Sequence, residues 1–262
     1  MKNEELRLGI VGFGFVGKAT DQGFNKNVNK FIVDPLLGTT IKELASFNPT
    51  MVFVCVPTPM GDDGDQDATI LESVISELCQ EIPESIIVIK STVIPKILSS
   101  LKNKNPKLIY NPEFLREKHA KEDFINSKSI IIGGDKEIAE SVAYAYKNHS
   151  QCLSKDYIYT DIETASLIKY SINTFLATKV IFFNEIFNIF EKINPKDSWE
   201  KIISIISSDE RIGRSHMDVP GHDGRKGFGG ACFPKDSLAL VKYASEIGLD
   251  MTVLKKVIKS NN

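Results

Sequence analysis

The sequence predicts an α/β protein in which a doubly wound parallel sheet is followed by a helical domain built on one long helix. Short apolar runs alternate with helix-like segments through the first half of the chain, as is typical of a parallel sheet with helices on both faces. Asp161 to Ile193 then carries apolar residues at helical spacing without Pro or Gly, which predicts one helix that Asp161 caps and Pro195 follows. We therefore expect a sheet domain over residues 1–160 and a helical domain over residues 161–262.

Six segments are predicted strands because each is short, apolar and rich in β-branched residues. They are 6–11, 31–34, 51–56, 86–89, 108–110 and 129–132. Helices are expected at 68–79, 136–147 and 199–206. An irregular glycine-rich loop then runs to Ala231, and helix is expected from there to the end of the sequence.

The composition is that of an ordinary soluble globular protein, with 42% hydrophobic and 25% charged residues. A formal net charge of −2 argues against nucleic acid as the main partner. No apolar run approaches the roughly 18 residues of a membrane span. The 4 cysteines and 4 histidines are scattered without metal-ligand spacing, so we expect no metal site, no disulfide framework and a cytoplasmic location.

A glycine fingerprint, Gly12-x-Gly14-x-x-Gly17, follows the first predicted strand and opens a helix. Asp34 ends the second strand. In this context the glycines let a helix N-terminus meet a pyrophosphate, and the acid hydrogen-bonds the adenosine ribose. No arginine beside Asp34 is placed to accept a 2′-phosphate, so we expect a Rossmann-like domain that binds NAD rather than NADP. The alternative is a glycine turn needed only for packing.

An acidic loop invites a calcium-site interpretation. Its aspartates are Asp62, Asp63, Asp65 and Asp67. Counted from Asp63, the sixth position is Ala68 where a calcium loop needs Gly, and the twelfth is Val74 where it needs Glu. We therefore expect a solvated loop and no metal.

The segment 227–236, Gly-Phe-Gly-Gly-Ala-Cys-Phe-Pro-Lys-Asp, sets Cys232 on a glycine-built turn. Lys235 and Asp236 follow three and four residues later. Glycines let the backbone adopt positive φ and approach a ligand, and a thiol so presented can be exposed and electrostatically tuned. A buried cysteine beside an ordinary loop is the alternative, and we favour the reactive thiol.

Three further constellations carry polar groups. Thr92 follows the fourth predicted strand, and Glu113 follows the fifth within Asn-Pro-Glu-Phe-Leu-Arg-Glu. Lys169 and Asn173 are spaced i, i+4, so the long helix presents both on one face. Taken singly, each of these features also fits a solvated surface.

Together, the fingerprint, the Asn-Pro-Glu-Phe-Leu-Arg-Glu segment and the segment 227–236 resemble the UDP-glucose/GDP-mannose dehydrogenase family. The resemblance runs from residue 9 to residue 236, nearly the whole sequence. It implies NAD-dependent oxidation of the C6 alcohol of a nucleotide sugar, with UDP-glucose as the leading substrate, to a carboxylate. Two NAD are consumed and the intermediate aldehyde is not released.

The resemblance implies a set of catalytic residues. They are Cys232, Lys169, Asn173, Asp236, Glu113 and Thr92. Cys232 would capture the aldehyde as a thiohemiacetal, whose oxidation gives a thioester. Lys169 and Asn173 would stabilise the oxyanion, Asp236 with Thr92 would orient a water, and Glu113 would act as a further acid or base.

The resemblance also implies binding residues and partners. The implied NAD contacts are Gly12, Gly14, Val16, Gly17, Asp34, Thr58, Thr92, Glu117 and Lys235. The implied contacts to the nucleotide sugar are Glu113, Phe114, Leu115, Arg116, Lys169, Asn173, Arg211 and Gly229. Arg211 matches an arginine that reaches a neighbouring subunit's substrate, and the long helix matches the family's dimerisation core, so a homodimer is expected.

The sequence departs from the family in three respects, one of which is a longer loop over residues 215–226. Members usually continue into a third domain that helps to bind the nucleotide, whereas this sequence ends at Asn262. Ser166 also stands where many relatives have Glu.

Alternative functions therefore stay open. One is a split enzyme whose nucleotide domain lies on a separate chain, and another is an NAD-binding relic. The same chemistry on GDP-mannose or a UDP-N-acetylhexosamine is a third. A two-electron 3-hydroxyacid-type dehydrogenase is a fourth, although that reaction needs no thiol.

Overall fold

The structure, a computed structural model, describes residues 5–61 and 64–261 and divides into two compact units. The first comprises Met1–Gly61 and Gln66–Lys169, and the second comprises Asp62–Asp65 and Tyr170–Asn262. The division falls within the long helix.

The first unit is a seven-stranded sheet with the order β2-β1-β3-β4-β5-β6-β7. Its strands are β1 Arg7–Val11, β2 Asn29–Val33, β3 Met51–Val54, β4 Ile86–Ile89, β5 Leu108–Tyr110, β6 Ser129–Gly133 and β7 Asp156–Thr160. Neighbouring strands run parallel except β5 and β6, which are antiparallel and pair through Tyr110 and Gly133. The predicted doubly wound parallel sheet is confirmed, apart from this one antiparallel pair.

Helices lie between the strands of this unit. They are α1 Phe15–Gly23, α2 Ile41–Phe47, α3 Thr69–Glu81, α4 Pro95–Lys104, α5 Ala120–Ile125, α6 Lys136–His149 and the beginning of α7 Ile162–Ile193. Short 3-10 helices span Pro35–Leu37 and Glu117–His119.

The sheet is buried on both faces. In β3, Met51 and Phe53 belong to one hydrophobic cluster, whereas Val52 and Val54 belong to the other. Side chains alternate between faces along a strand, so two cores require a continuously apolar strand. Because β1 to β5 are mutually parallel, the loops that follow them emerge at one edge of the sheet, where ligands bind in such folds.

Strand β7 is absent from the predicted strands, which is a correction. Asp156–Thr160 pairs with β6 at the edge of the sheet, and most of its residues are exposed or half-buried. An edge strand lacks the run of buried apolar residues that marks the central ones, so its sequence is similar to that of a connection between domains.

The long helix α7 is confirmed as one element. Its N-terminus is capped by Asp161, whose carboxylate accepts hydrogen bonds from the backbone N–H and the hydroxyl of Thr164, both at 2.7 Å. The helix ends at Ile193, and Asn194 with φ 50° turns the chain before Pro195.

The second unit continues α7 with α8 Trp199–Ser207, α9 Phe233–Glu246 and α10 Thr252–Asn261. A small core joins Phe183 of α7 to Ile203 of α8 and to Met217 in the loop that follows. The helix expected from Ala231 to the end of the sequence is observed as two helices, because Gly248 with φ 80° separates α9 from α10. Within the described residues, no helix is long and apolar enough to cross a membrane.

Candidate active site

The fingerprint glycines lie where β1 meets α1, and two of them are required by sterics. Gly12 has φ 89°, and a Cβ there would lie 2.8 Å from the carbonyl oxygen of Cys55. A Cβ at Gly17 would collide with the carbonyl oxygen of Gly12, so only glycine lets α1 approach the strand. A Cβ at Gly14 would meet no atom within 4 Å, so there is space in front of the helix N-terminus. Val16 lies in the first turn of that helix.

Asp34 ties the end of β2 to this glycine loop. One carboxylate oxygen accepts a hydrogen bond from the backbone N–H of Phe13 at 2.6 Å, and the other accepts one from Leu36 at 2.9 Å. The carboxylate is only partly buried, so lone pairs remain available to a ligand. An open helix N-terminus beside such an acid fits the pyrophosphate and ribose of a dinucleotide.

Glu117 lies beside the same helix. A cavity of about 220 Å³ separates α1 from the segment 117–122, and its lining includes Phe15, Lys18, Glu117 and Lys121. The structure thus brings Glu117 close to the fingerprint.

Thr58 and Thr92 also come together. The Thr58 hydroxyl donates to the carbonyl oxygen of Thr92 at 2.8 Å, and the Gln66 side-chain amide donates to the same oxygen at 2.6 Å. Gln66 in turn accepts a hydrogen bond from the backbone N–H of Ile94 at 3.0 Å. These bonds fix the loop after β4 and leave the Thr92 side chain partly exposed.

Glu113 and Lys169 form a buried pair in the first unit. The ammonium group of Lys169 lies 3.6 Å from a carboxylate oxygen of Glu113 and donates to the Glu113 carbonyl oxygen at 2.5 Å. The Glu113 carboxylate also accepts the backbone N–H of Leu115 at 2.5 Å. The same ammonium lies 4.9 Å from the centre of the Phe114 ring. The cation, the acid and the ring are therefore positioned together.

The other residues of the Asn-Pro-Glu-Phe-Leu-Arg-Glu segment differ in their exposure to solvent. Phe114 is exposed, but Leu115 packs against the core of the sheet. The exposed guanidinium of Arg116 makes two hydrogen bonds to Asp123, at 2.7 and 3.0 Å. This pairing raises the pKa of Arg116 and holds the pKa of Asp123 below its usual value.

A buried lysine supports this segment from beneath. Lys90, directly after β4, donates to the Asn111 side-chain oxygen at 3.0 Å and to the Tyr146 hydroxyl at 3.1 Å. Asn111 also donates to the carbonyl oxygen of Ile131 in β6 at 2.7 Å. Burial lowers the pKa of Lys90 to about 8.

In the second unit, Asn173 and Lys235 converge on Asp236. The Asn173 side-chain amide donates to one carboxylate oxygen at 2.6 Å, and the Lys235 ammonium donates to the other at 2.7 Å. Asp236 is fully buried. Donors therefore satisfy both oxygens of this buried carboxylate.

Cys232 occupies the N-cap position of α9, one turn before Asp236, and is partly exposed. Its carbonyl oxygen accepts the first helical hydrogen bond, from the Asp236 N–H at 2.8 Å. Gly229 is exposed in the loop before it. By contrast, burial raises the pKa of the Cys55 thiol to about 12, which keeps that thiol protonated and unreactive at neutral pH.

Arg211 does not join the other predicted residues. Within the part of the chain that the structure describes, its exposed guanidinium bonds to Asp209, at 2.5 and 2.9 Å. This contact raises the pKa of Arg211.

The acidic loop is only partly described, because Asp62 and Asp63 lie outside the described residues. Asp67 accepts a hydrogen bond from the backbone N–H of Thr69 at 2.9 Å, which is an ordinary turn contact. Among residues 5–61 and 64–261, no group of three or more His, Cys, Asp or Glu side chains is arranged to hold a metal ion.

Sequence reasoning missed Gln66, Lys90 and Asn261. The Asn261 side chain hydrogen-bonds to the backbone of Phe228, in the loop before Cys232. Lys90 carried a signal, since a charged residue directly after a fully apolar strand must find buried partners. Gln66 and Asn261 carried none.

Comparison with known proteins connects both halves of the chain to one family. Residues 22–149 match the NAD binding domain of the UDP-glucose/GDP-mannose dehydrogenase family, and residues 163–262 match its central domain. The chain is 37% identical over 222 residues to a UDP-glucose 6-dehydrogenase of Rickettsia felis, covering 82% of this chain and 48% of that protein. It spans about half the length of the curated relatives it matches.

Solved structures agree with this assignment. A UDP-glucose dehydrogenase from Pyrobaculum islandicum superimposes with a TM-score of 0.83 at 26% identity, over 98% of this chain and 68% of that one. The 3-hydroxyisobutyrate dehydrogenase of Mycobacterium tuberculosis shares the fold, with a TM-score of 0.72 at 13% identity over 98% and 92% of the two chains. With both domain matches covering most of its sequence, the chain belongs to the UDP-glucose/GDP-mannose dehydrogenase family.

Proposed function

We propose that this chain catalyses the NAD-dependent, four-electron oxidation of the C6 alcohol of UDP-glucose to UDP-glucuronate. The observation that carries the proposal is the partly exposed thiol of Cys232, one helical turn before a buried Asp236 that Asn173 and Lys235 hold. A dehydrogenase that stops at the aldehyde needs no such thiol. The names of the curated relatives support UDP-glucose as the substrate.

The thiol divides the four-electron oxidation into two hydride transfers joined by a covalent intermediate. The first oxidation removes a hydride from C6 and a proton from its hydroxyl, leaving an aldehyde. Cys232 Sγ then adds to the aldehyde carbon as a thiolate, and the oxygen takes up a proton to give a thiohemiacetal. Removal of a second hydride and the hydroxyl proton leaves a thioester. When bound, NAD would supply the hydride acceptor for both oxidations.

Lys169 and Asn173 are the donors proposed for the oxygen that becomes charged. Donors held in place before the reaction stabilise an oxyanion without reorganisation. The contacts of Lys169 with Glu113 and of Asn173 with Asp236 fix both side chains in this way. Glu113 is then the proposed acid or base for the protons that accompany the hydrides.

Water must finally cleave the thioester and restore the thiol. Water adds to the thioester carbon, and the tetrahedral intermediate expels the sulfur as the thiolate. The two protons of the water are released as the product becomes a carboxylate. Asp236 is the proposed acceptor of the water proton and Thr92 a hydroxyl that orients the water.

The residues described above would bind both NAD and the nucleotide sugar. The fingerprint glycines, Val16 and Asp34 would hold NAD, with Thr58, Thr92, Glu117 and Lys235 as further contacts. Glu113, Phe114, Leu115, Arg116 and Gly229 would contact the nucleotide sugar, with Leu115 restricted to its backbone because its side chain is in the core. A split enzyme, in which a separate chain supplies further contacts to the nucleotide, fits the same chemistry.

We also propose a homodimer through α7. Large apolar side chains are exposed along this helix at intervals of three, four or seven residues, which places them in one seam. They are Ile172, Phe175, Phe182, Ile189 and Ile193. Such a dimer would leave the exposed Arg211 available to the partner copy's substrate. Sedimentation equilibrium of the purified chain tests the dimer, and a monomer at micromolar concentration contradicts it.

The function is tested by the stoichiometry of the purified chain with UDP-glucose and NAD. Two NADH per UDP-glucose consumed support it, whereas one NADH supports a two-electron enzyme. GDP-mannose and a UDP-N-acetylhexosamine serve as competing substrates. Cys232→Ser should abolish acid formation without weakening NAD binding, because a serine hydroxyl is a far weaker nucleophile at neutral pH. Cys79→Ala, in α3, is the matched control. Acid formation at the wild-type rate by Cys232→Ser contradicts the proposed nucleophile.

A further inference from the structure

The loop that presents Cys232 has little regular structure of its own. Gly227 and Gly230 both have positive φ, at 79° and 76°. Glycine adopts this conformation at no steric cost, but it also loses the most conformational freedom when it is fixed. The loop therefore needs contacts from outside to hold one conformation.

Asn261, in the last turn of α10, supplies one such contact. Its side-chain oxygen accepts a hydrogen bond from the backbone N–H of Phe228 at 2.7 Å, and its side-chain nitrogen donates to the Phe228 carbonyl oxygen at 2.9 Å. One amide thus satisfies both backbone groups of a single residue, as a neighbouring strand would. Phe228 is buried, so its N–H and carbonyl would be costly to leave without partners.

Asn184 of α7 holds the adjacent residue. Its side-chain oxygen accepts a hydrogen bond from the backbone N–H of Gly227 at 2.9 Å, and its nitrogen donates to the carbonyl oxygen of Val180 at 2.7 Å. A Cβ at Gly227 would lie 2.6 Å from the Asn261 oxygen. Glycine at this position thus lets Asn261 approach the loop while Asn184 holds its other side.

Phe228 also packs against the residue that follows Cys232. Its ring packs edge to face on Phe233, with the ring centres 6.3 Å apart. Phe233 is the first residue of α9 and directly follows Cys232, and α10 packs against α9. Fixing the backbone of Phe228 therefore fixes the start of the helix that carries the thiol.

We propose that Asn261 is a positioning residue, which with Asn184 clamps residues 227–228 and so orients Cys232 for attack on the substrate. The proposal rests on the function proposed above for Cys232. It assigns to α10 a part in the site, although α10 supplies none of the residues that the sequence predicted to react or bind.

The test uses two readouts that do not need catalysis. The first is hydrogen exchange of the Gly227 and Phe228 amides, and the second is alkylation of Cys232 by iodoacetamide, followed on its own peptide by mass spectrometry. In Asn261→Ala, exchange of the Phe228 amide should accelerate by roughly tenfold or more, because this N–H loses its acceptor. Alkylation should rise about threefold, because a mobile loop exposes a partly buried thiol more often.

The kinetic readout then separates positioning from binding. With UDP-glucose and NAD, kcat of Asn261→Ala should fall by roughly tenfold or more, since small displacements of a reacting group are costly, while the KM for NAD stays within about twofold. Asn261→Asp keeps the acceptor for the Phe228 N–H, so its kcat should lie between those of the wild type and Asn261→Ala. Ser260→Ala, an exposed neighbour on α10, should behave as wild type.

Each failure has a distinct meaning. Wild-type exchange and alkylation in Asn261→Ala overturn the clamp, whatever the activity. A wild-type chain that oxidises no nucleotide sugar, either alone or with a second chain that supplies further nucleotide contacts, overturns the proposed function, and the exchange data still decide whether the clamp exists. If Asn261→Ala does not fold, Asn184→Ala removes one bond to Gly227 and must accelerate its exchange. Unchanged exchange there also overturns the clamp.

Discussion

The two loops that carry the proposed chemistry are held by different means. The segment after β5 leaves a strand buried on both faces, and Asn111 at its start bonds to Lys90 and to β6. The loop before α9 leaves no strand, and the side-chain amides of Asn184 and Asn261 hold it. The difference teaches that a sheet places functional groups through its register, whereas an irregular loop depends on a few bonds from distant residues.

In the sheet, the most destabilising substitution is expected at Gly17, where α1 packs on β1. In Gly17→Ala the new methyl group meets the carbonyl oxygen of Gly12, so α1 must move away from β1. We expect the free energy of unfolding to fall by about 3 kcal/mol or more, together with the affinity for NAD. Urea denaturation and NAD titration measure the two effects. Gly14→Ala is the control for stability alone, because its methyl group would meet no protein atom within 4 Å. Equal losses of stability in the two variants would falsify the steric argument.

The pH dependence of stability tests the support beneath the same loop. Burial lowers the pKa of Lys90 to about 8 from an ordinary 10.5. Between these values the unfolded chain binds a proton that the folded chain lacks, so this lysine makes the folded state more stable as pH rises. Relative to Lys90→Met, the wild type should gain on the order of 2–3 kcal/mol from pH 7.5 to 10.5.

Urea denaturation of both proteins across that range gives the difference. The comparison removes the contributions of groups that titrate alike in both proteins. A difference between the two proteins that stays constant with pH would contradict a lowered pKa for Lys90.

On the other side of the comparison, Asn173→Ala removes one of the two donors to the buried Asp236. Leaving a buried carboxylate oxygen without a partner should cost about 2 kcal/mol of unfolding free energy. Thermal or urea denaturation measures the loss. Asn148→Ala on α6, where the asparagine is exposed, should change stability by less than about 0.5 kcal/mol. If the two variants lose the same small amount, the Asp236 cluster is not tightly held.

Local rules were enough to predict where several candidate residues of the sheet lie. The positions of Gly12, Gly17 and Asp34 follow from the geometry of a strand–turn–helix unit, whereas Glu113 was singled out by the family resemblance. The position of Lys169 and Asn173 on one face follows from helical spacing. All of these depend on residues close in sequence or on a repeating pattern.

The remaining features depend on tertiary packing. Asn261 bonds to a residue 33 positions away, and Gln66 to one 26 positions away, without any periodic pattern. The antiparallel junction between β5 and β6 depends on which strand edge the chain reaches after α5, and β7 is stabilised by pairing at the edge of the sheet. A single sequence carries no local signal for the antiparallel junction or for β7.

The junction between β5 and β6 has a consequence for how the first unit responds to heat. Strands β1 to β5 form one parallel block and β6 with β7 another, and in the described residues the pairing across their boundary is the one between Tyr110 and Gly133. Asn111 adds a side-chain bond to Ile131 where a ladder would continue. With so few backbone bonds across it, this boundary is the line along which the two-stranded block should detach first as temperature rises, below the global melting transition.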